Sequence, residues 1–346
     1  MKVKWGVIAA GGIADRRTIP GMMLAGNAEL VSVMDINMEL AEKIKMKYNA
    51  KRAYDNVDSL LADSDIDAVY IASPVIFHKE QAIKAARAKK HILIEKPVAI
   101  TSTDGKVLLE ICRKEGITIA VGFMMRYHVY HQKMKEIVES GRLGKVVTCR
   151  CQSAGWYPDM PGNWRQLKSS SGGGALMDMG VHCIDLIQYI SRSKAIKVTA
   201  FTDTKTFSYD VEDSASVIFE MDNGGYSYID ANFNIPNEAT KSRFEIYGTR
   251  GSLIAEGTIG QVEGGKLNIV ILDESMESNE KMDRVVTTKL SLDVELGNMY
   301  TKEIESFSNS ILKNSNVEVS VEDALQVQEV VEAAYESSQT GRIVLL

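Results

Sequence analysis

Residues 1–122 alternate strand patterns with helix patterns, and this alternation constrains the fold more than any other feature of the chain. The expected strands are Lys4–Ala10, Glu29–Asp35, Ala68–Ala72, His91–Ile94 and Ile117–Val121. The expected helices, after a first one that follows a glycine turn, are Glu39–Tyr48, Lys79–Lys89 and Thr103–Gly116. This order predicts a parallel, doubly wound α/β sheet, whose ligands bind at the carboxyl ends of the strands.

Beyond Gly122 the strand patterns become longer and are joined by short turns, which predicts a large, mainly antiparallel sheet. The expected strands are Val146–Ala154, Ala195–Thr204, Ala215–Met221, Tyr226–Asn232, Ser242–Tyr247, Ser252–Ala255, Lys266–Leu272 and Arg284–Leu290. The expected helices are Tyr130–Ser140, Ala175–Ile190, Glu303–Leu312 and Val321–Ser338, and the polar stretch Met276–Asp283 predicts an exposed loop. Since 346 residues exceed one ordinary core, we expect an α/β domain at 1–122 and an α+β domain at 123–346, whose closing helices can pack back on the first.

Composition narrows the class of protein. The net charge is −6 and no long basic run occurs, which argues against nucleic acid as the main partner. No apolar stretch reaches membrane-spanning length and the N-terminus lacks a signal-peptide pattern, so we expect a cytoplasmic protein. The four cysteines form no CxxC motif, which favours reduced thiols over disulfides.

The turn after the first strand is a candidate nucleotide site. Gly11 and Ala14 fill the second and third positions of the Gly-x-Gly-x-x-Gly/Ala fingerprint, whereas Ala9 replaces the first glycine. Residues Ala10, Gly11, Gly12 and Ile13 would face a pyrophosphate at a helix N-terminus. Asp35 would accept hydrogen bonds from the ribose hydroxyls and repel a 2′-phosphate, which favours NAD over NADP. The alternative is a glycine turn without a ligand.

Asp178 and His182 follow three glycines and stand four residues apart in the predicted helix. Helical spacing puts both side chains on one face, whose other members are apolar. Acid/base chemistry, a metal or a satisfied structural pair could each explain them. Zinc sites use three or four protein ligands, and the remaining histidines form no compact cluster, so we expect no metal. His128 is interpreted either as reaching the substrate or as an exposed residue at a helix start.

Lys96 ends a buried strand, where a parallel sheet binds its ligand. Its cation could stabilise a developing negative charge, or it could pair with Glu95 at the rim of the sheet. Farther along, the loop with Trp156, Tyr157, Trp164 and Arg165 offers aromatic faces and a guanidinium that suit a polyhydroxylated ring. Plain packing of the loop explains the aromatic residues equally well.

Several motifs occur together in a recognisable order. They are Ala72-Ser73-Pro74 with His78, Glu95-Lys96-Pro97, Val121-Gly122-Phe123 with Arg126-Tyr127, and Gly173-Gly174-Ala175-Leu176 with Asp178, Gly180, His182 and Asp185. In this order they resemble the glucose-fructose oxidoreductase/inositol dehydrogenase family (Gfo/Idh/MocA), and the resemblance covers the whole chain. It implies an N-terminal Rossmann domain and a second domain whose open sheet forms homodimers or homotetramers.

The resemblance also implies roles for individual residues. Lys96, Asp178 and His182 match the catalytic group, and Lys96, Arg126, Tyr157, Asp178 and His182 are the expected substrate-binding residues. The expected cofactor-binding residues are Ala10, Gly11, Gly12, Ile13, Asp35, Ser73, Pro74, His78, Glu95, Lys96, Trp164, Arg165 and Tyr300. Two departures from the family pattern, Ala9 and Val75, bear on cofactor affinity more than on the chemistry.

The resulting hypothesis is an oxidoreductase that uses NAD, or NADP, on a secondary alcohol or ketone of a sugar, inositol or related polyol. His182 would act as acid or base and Lys96 would assist it. One alternative is a non-catalytic sensor of NAD(P) or sugar on the same fold. Another is a dehydrogenase of a non-sugar substrate such as a dihydrodiol. Arg126 has several possible roles: binding a carboxylate, a phosphate or the cofactor, or pairing with an acid.

Overall fold

A computed structural model describes residues 1–272, 286–292 and 294–346 of the chain. The chain divides into two compact units. The first unit comprises Met1–Met124, Leu167–Gly172 and Asn298–Gln328, and the second comprises Met125–Gln166, Gly173–Gly297 and Glu329–Leu346. The expected loop at Met276–Asp283 and the predicted strand start at Arg284 lie outside the described residues.

The first unit is built on a parallel sheet, as the βαβ alternation predicts. Its strands among the described residues are β1 (Val3–Ile8), β2 (Ala28–Met34), β3 (Arg52–Tyr54), β4 (Ala68–Ile71), β5 (His91–Glu95) and β6 (Ile119–Gly122), in the order β3-β2-β1-β4-β5-β6. Every neighbouring pair is parallel. The carboxyl ends of these strands therefore share one edge, which the expected cofactor residues follow.

Helices cover this sheet. They are α1 (Ile19–Leu24), α2 (Met38–Tyr48), α3 (Val57–Leu61), α4 (His78–Arg87) and α5 (Ser102–Glu115). Caps fix their ends: the Asn37 side chain accepts from two backbone N–H groups of α2, and Gly116 ends α5 in the left-handed conformation. Helix α9 (Met299–Lys313) also packs in this unit, because Ile304 and Phe307 join the core around Trp5.

The second unit contains a larger sheet that is antiparallel at all pairings but one. Its strands among the described residues are β7 (Val146–Ala154), β8 (Ala195–Asp203), β9 (Ser214–Met221), β10 (Tyr226–Asn232), β11 (Arg243–Gly248), β12 (Gly251–Glu256), β13 (Lys266–Leu272), β14 (Val286–Leu292) and β15 (Val344–Leu345). Their order is β14-β13-β12-β11-β7-β10-β9-β8-β15, and the exception is the parallel pair β7 and β10. The predicted fold class, a Rossmann-type α/β domain plus an α+β domain with a mainly antiparallel sheet, is confirmed.

The second unit carries α6 (Val129–Glu139) and α8 (Val181–Ser191), and α7 (Lys168–Ser171) and α10 (Val321–Thr340) complete the labelled helices. Cys149 and Cys151 are buried side by side on β7, and the four cysteines are free thiols, as expected. Among the helices that the structure describes, none combines the length and apolar character needed to cross a membrane.

Candidate active site

The turn after β1 has the backbone shape that a phosphate cradle needs. Ala9 and Gly12 both adopt positive φ, at 61° and 57°. A Cβ atom on Gly12 would meet open space, whereas a Cβ on Gly11 would lie 3.1 Å from Leu40 Cδ2 and 3.5 Å from an Asp35 carboxylate oxygen. The glycines thus leave the outer side of the turn bare and let the Asp35 carboxylate approach it.

Asp35 follows β2 and is tied to this turn. Its carboxylate accepts hydrogen bonds from the backbone N–H of Gly11 at 3.4 Å and of Asn37 at 3.1 Å. The carboxylate is half-buried, so its oxygens keep capacity for further donors. This position, at the edge next to the glycine turn, is the one that a ribose-binding acid occupies in a dinucleotide fold.

The residues after β4 form a compact, buried corner. The Ser73 hydroxyl donates to Gln81 Oε1 at 2.6 Å. His78 lies with Nε2 2.9 Å from the Ser73 carbonyl oxygen and Nδ1 2.9 Å from the Pro97 carbonyl oxygen. Burial lowers the pKa of His78 to about 4, so the ring is neutral at pH 7. His78 therefore ties the loop after β4 to the loop after β5, which carries Lys96.

Glu95, at the end of β5, belongs to a buried polar chain. The Thr18 hydroxyl donates to the Tyr70 hydroxyl at 2.9 Å, and the Tyr70 hydroxyl donates to the Glu95 carboxylate. Burial, reinforced by the charge of Glu95, raises the pKa of Glu303 and of Tyr300. The structure places Tyr300 in α9, buried beside Gly21, within the same unit as the other expected cofactor residues.

Asp178 and His182 begin a helix that departs from the predicted geometry. The predicted helix over Ala175–Ile190 is present, but its first part, Leu176–Gly180, is a π-type turn, and the α-helix α8 starts at Val181. A π-type turn closes hydrogen bonds from i to i+5 rather than from i to i+4, so Asp178 lies in a wider turn and His182 in the regular helix that follows it. His182 is buried, whereas the side chain of Asp178 is 34% exposed. Of the expected apolar face, only Met179 is half-buried; Leu176, Cys183, Leu186 and Ile187 are buried.

A buried carboxylate anchors the start of this helix. Glu212 accepts hydrogen bonds from the backbone N–H of Gly174 and of Leu176 and from the Tyr335 hydroxyl, each at 2.9 Å. Burial raises the pKa of Glu212, and these bonds oppose the rise. A Cβ atom on Gly173 or Gly174 would overlap Tyr335 or the Glu212 backbone. The glycines are thus required by this anchor, a role that the sequence analysis did not identify.

The loop before the glycines brings Tyr157 and Arg165 to Asp178. Arg165 Nε lies 3.9 Å from Asp178 Oδ1, and its guanidinium stacks 4.4 Å from the centre of the Trp164 ring. Asn163 links the two ends of the loop, since its side chain donates to the Tyr157 hydroxyl at 2.8 Å and accepts from the Arg165 N–H at 3.1 Å. A half-buried guanidinium, a phenol and a carboxylate thus meet beside the start of α8.

Arg126 pairs with an acid. Its Nη2 donates to Asp185 Oδ1 at 2.6 Å and its Nε donates to the same carboxylate at 3.0 Å, with both side chains buried. The guanidinium also lies 4.6 Å from the centre of the Tyr189 ring. This buried bidentate pair holds α8, which carries Asp185, against the segment that carries Arg126. Among the roles considered for Arg126, this contact supports pairing with an acid.

The interpretation of His128 as an exposed residue is wrong. It is buried at the start of α6, where Nδ1 accepts from the Tyr130 N–H at 3.2 Å and Nε2 lies 3.1 Å from the Gly264 carbonyl oxygen. Neighbouring His131 is equally enclosed, and burial lowers its pKa to about 3. Both rings have structural partners. Within the described residues no group of three or more His, Cys, Asp or Glu side chains could hold a metal ion.

Two family models match the chain, one within each unit for the most part. Residues 3–123 match the oxidoreductase family with an NAD-binding Rossmann fold. Residues 131–254 match the Gfo/Idh/MocA C-terminal domain.

Individual relatives agree with this match. The chain is 27% identical, over 77% of its length and 79% of the relative, to 1,5-anhydro-D-fructose reductase of Ensifer adhaerens. It is 25% identical, over 99% of its length and 98% of the relative, to myo-inositol 2-dehydrogenase of Thermotoga maritima. Among solved structures, a levoglucosan dehydrogenase in complex with NADH and levoglucosan has the same fold, with a TM-score of 0.87, 24% identity, and 100% and 99% of the two chains covered.

The two matches run from the start of β1 to strand β12, with residues 124–130 outside them, and they include the helix with Asp178 and His182. Except for Arg126-Tyr127, the motifs that carry the resemblance in the sequence lie inside them. The chain therefore belongs to the Gfo/Idh/MocA family of oxidoreductases, and its first domain is the family's NAD-binding Rossmann domain.

Proposed function

We propose that the protein transfers a hydride between a nicotinamide cofactor and a secondary alcohol or ketone of a sugar, inositol or related polyol. The observation that carries this proposal is the start of α8. There His182 and Asp178 stand on a helix that Glu212 anchors and that Arg165 and Tyr157 border. The names of the relatives, which are sugar and inositol oxidoreductases, support the same substrate class.

The residues after β1 and β2 fit a dinucleotide. The bare turn at Gly11 and Gly12 accommodates a pyrophosphate, and the Asp35 carboxylate suits the ribose hydroxyls. Ser73, Pro74, His78, Glu95 and Tyr300 are the proposed remaining contacts in the first unit, and Trp164 and Arg165 are those in the second. Bound NAD would supply the hydride acceptor for the oxidation.

The side chains of this protein would manage the proton. In oxidation, His182 removes the proton of the substrate hydroxyl, and in reduction it returns that proton. Lys96 offers a positive charge to the substrate oxygen, which becomes more negative as its proton leaves. Asp178, half-buried with Arg165 Nε 3.9 Å from its carboxylate, is proposed to bind a second hydroxyl of the substrate. Arg126 is proposed to act through Asp185, by holding α8, rather than by touching the substrate.

Substitution of the two proposed catalytic groups tests this function. We expect His182→Ala and Lys96→Ala each to lower turnover at least about a hundredfold, because a general acid/base contributes that much. His91→Ala and Lys114→Ala are matched controls away from the start of α8 and should keep near-normal rates. Turnover is measured as NADH formation with aldoses, ketoses, anhydro-sugars and inositols. Wild-type rates in His182→Ala would remove that residue from the mechanism, and the absence of turnover by the wild type on all of them would favour a sensor.

Cofactor preference follows from Asp35. A carboxylate at this place repels a 2′-phosphate, so NAD should bind more tightly than NADP. The Asp35→Ser variant should reduce or reverse the preference for NAD, measured as the ratio of the NADP dissociation constant to the NAD dissociation constant. Calorimetric titration of both cofactors measures this ratio. A wild-type preference for NADP would contradict the assignment of Asp35.

We also propose that the protein forms a homodimer or homotetramer through the second sheet. Phe201, Ile218, Tyr226 and Tyr228 are exposed on strands whose alternate side chains are buried. A concavity of about 480 Å³ lies in the same sheet, lined by Arg150, Gln152, Tyr228, Asp230, Arg243 and Glu245. Exposed apolar side chains flanked by charges of both signs are typical of an interface. Light scattering should show an oligomer that Tyr228→Asp weakens, and a monomeric wild type would refute the proposal.

A further inference from the structure

Five aromatic side chains gather at one end of the second sheet and form what we call the aromatic wall. Its members are Trp156, Tyr157, Phe207, Tyr209 and Phe233. They come from segments that follow β7, β8 and β10, so three separate parts of the chain meet there. Glu212, which anchors the helix with Asp178 and His182, lies in the segment that leads into β9 at the same end of the sheet.

Ring contacts make the wall continuous. Trp156 and Phe207 meet edge to face with their centroids 5.1 Å apart. Phe207 stacks on Tyr209 at 5.5 Å, and Tyr157 packs against Phe233 at 4.8 Å. The Tyr209 hydroxyl donates to the Tyr157 carbonyl oxygen at 3.1 Å, which joins the two halves. These separations lie in the range of favourable aromatic pairs.

The segment that carries Phe207 is held in place by a buried acid. The fully buried Asp213 carboxylate accepts hydrogen bonds from the backbone N–H groups of Lys205, Thr206 and Phe207, at 2.9, 2.7 and 3.0 Å. The next residue, Ser208, donates from its N–H and its hydroxyl to Asp159 in the loop after β7. The wall is therefore preorganised, and a ligand would not have to order it.

The wall has an inner and an outer end. At the inner end, Tyr157 lies among Asn163, Arg165 and Asp178, and we propose that Asp178 binds a hydroxyl of the reacting sugar. At the outer end, Trp156 keeps 47% of its surface exposed although it directly precedes Tyr157 in the chain. Adjacent Cα atoms are about 3.8 Å apart, so the two ends are within reach of one extended ligand. A rigid, exposed indole beside a polar pocket presents an apolar face to the C–H side of a sugar ring.

We propose that Trp156 and Phe207 form a second sugar subsite, which binds the ring attached to the one that is oxidised. This inference rests on the proposed function and narrows its substrate class to glycosides and disaccharides. The attached ring would lie against the indole, while its hydroxyl groups stay in water or reach the polar edge of the wall. The face of the pair suits a pyranose ring because such a ring offers axial C–H groups on a flat side.

Binding of matched sugars by the full-length protein with saturating NADH tests the subsite. The probes are D-glucose with cellobiose, D-galactose with lactose, and D-xylose with xylobiose, titrated by calorimetry. For at least one pair, the wild type should bind the disaccharide roughly five- to tenfold more tightly than the monosaccharide, as expected for one aromatic contact. Trp156→Ala and Phe207→Ala should each remove this preference, whereas Trp156→Phe should retain most of it. Met46→Ala, which removes an exposed apolar side chain on α2, is the control and should leave the preference unchanged.

Each outcome decides one way. Equal affinity of the wild type for both members of every pair, or equal weakening of both by Trp156→Ala, overturns the subsite. Absence of binding by every sugar overturns it as well. NADH formation from the same sugars separates the two proposals: turnover without a disaccharide preference leaves the proposed function standing and removes the subsite. A disaccharide preference that depends on Trp156, without turnover of any sugar, supports the subsite and removes the proposed function.

Discussion

Ala9 adopts a strained backbone conformation within the dinucleotide fingerprint. It stands where the dinucleotide fingerprint has its first glycine, and it adopts a φ of 61°. A left-handed conformation costs a residue with a Cβ atom about 1–2 kcal/mol. The chain keeps the turn because the neighbouring contacts hold it, such as the Ala10 N–H donating to the Met34 carbonyl oxygen at 2.9 Å.

We therefore expect Ala9→Gly to stabilise the protein. Glycine removes the conformational strain but loses about 0.5–1 kcal/mol more backbone entropy on folding, so the net gain should be about 0.5–1 kcal/mol. Urea denaturation measures the change in the free energy of unfolding. The control is Ala10→Gly, at a buried alanine without positive φ, which should destabilise instead. A variant no more stable than the wild type would show that the turn is not strained at Ala9.

Residue types at the site could be predicted from the sequence, but several of their partners could not. The positions of Lys96 and Asp35 after strands follow from a strand pattern that ends at a polar residue. The pairing of Arg126 with Asp185 joins residues 59 positions apart, and no local pattern encodes it. The burial of His128 cannot be predicted locally, because its ring contacts the carbonyl oxygen of Gly264, 136 residues farther along the chain.

At the scale of elements, the start of α8 is where the structure differs from the helix that the local sequence pattern predicts. The apolar spacing predicts a helix, and the structure has one. The first turn, Leu176–Gly180, is of π type, and its Leu176 N–H donates to Glu212, a contact that the spacing of apolar residues does not predict. The backbone N–H of Leu176, in this turn, and that of Gly174, just before it, donate to that distant carboxylate rather than to a local cap. The geometry of Asp178 is thus a tertiary property.

Gly174→Ala should disrupt this element. The new Cβ would overlap the backbone carbonyl of Glu212, and backbone cannot move aside as a side chain does. We expect a loss of about 1–3 kcal/mol in the free energy of unfolding, the usual cost of overpacking, and a fall in turnover beyond what the loss of folded protein explains. Chemical denaturation and the rate per folded molecule are the two measurements.

Gly264→Ala is the matched control for that experiment. Gly264 has nothing within 4 Å of its Cβ position and no positive φ, so alanine should be tolerated there within about 0.5 kcal/mol. If Gly174→Ala behaves like Gly264→Ala, the close approach of Glu212 is not what selects glycine at position 174.

At the scale of the whole molecule, the sequence separates the two sheets because their connections differ. Parallel strands need long crossovers and antiparallel strands accept short turns, and the switch near Gly122 is visible in the spacing. The parallel pairing of β7 with β10 cannot be predicted in this way, because the two strands are far apart along the chain. Strand β3, only Arg52–Tyr54, is too short to leave a periodic pattern.

The buried ionisable groups make the stability of the molecule depend on pH. Burial and the nearby Glu95 raise the pKa of Glu303 well above its ordinary value of 4.5, and its Oε1 has no hydrogen-bond partner among the described residues. Below pH 4.5 both the folded and the unfolded chain carry the proton, so the stabilising effect of this group is complete. Above that pH the unfolded chain releases the proton and the folded chain keeps it, so stability is lost until the pKa of the folded state is passed.

The Glu303→Gln variant should abolish this part of the pH dependence. The amide does not titrate, so the variant should gain on the wild type by up to about 1.4 kcal/mol for each pH unit above 4.5, or about 2–3 kcal/mol between pH 5 and 7. Urea denaturation at several pH values measures the difference, and a constant offset from burying the amide does not alter its slope. Glu110→Gln, at an exposed glutamate, should run parallel to the wild type at every pH. If the Glu303→Gln curve also runs parallel to the wild type, Glu303 is ionised in the folded protein, and its burial must then be compensated by a cation that approaches α9.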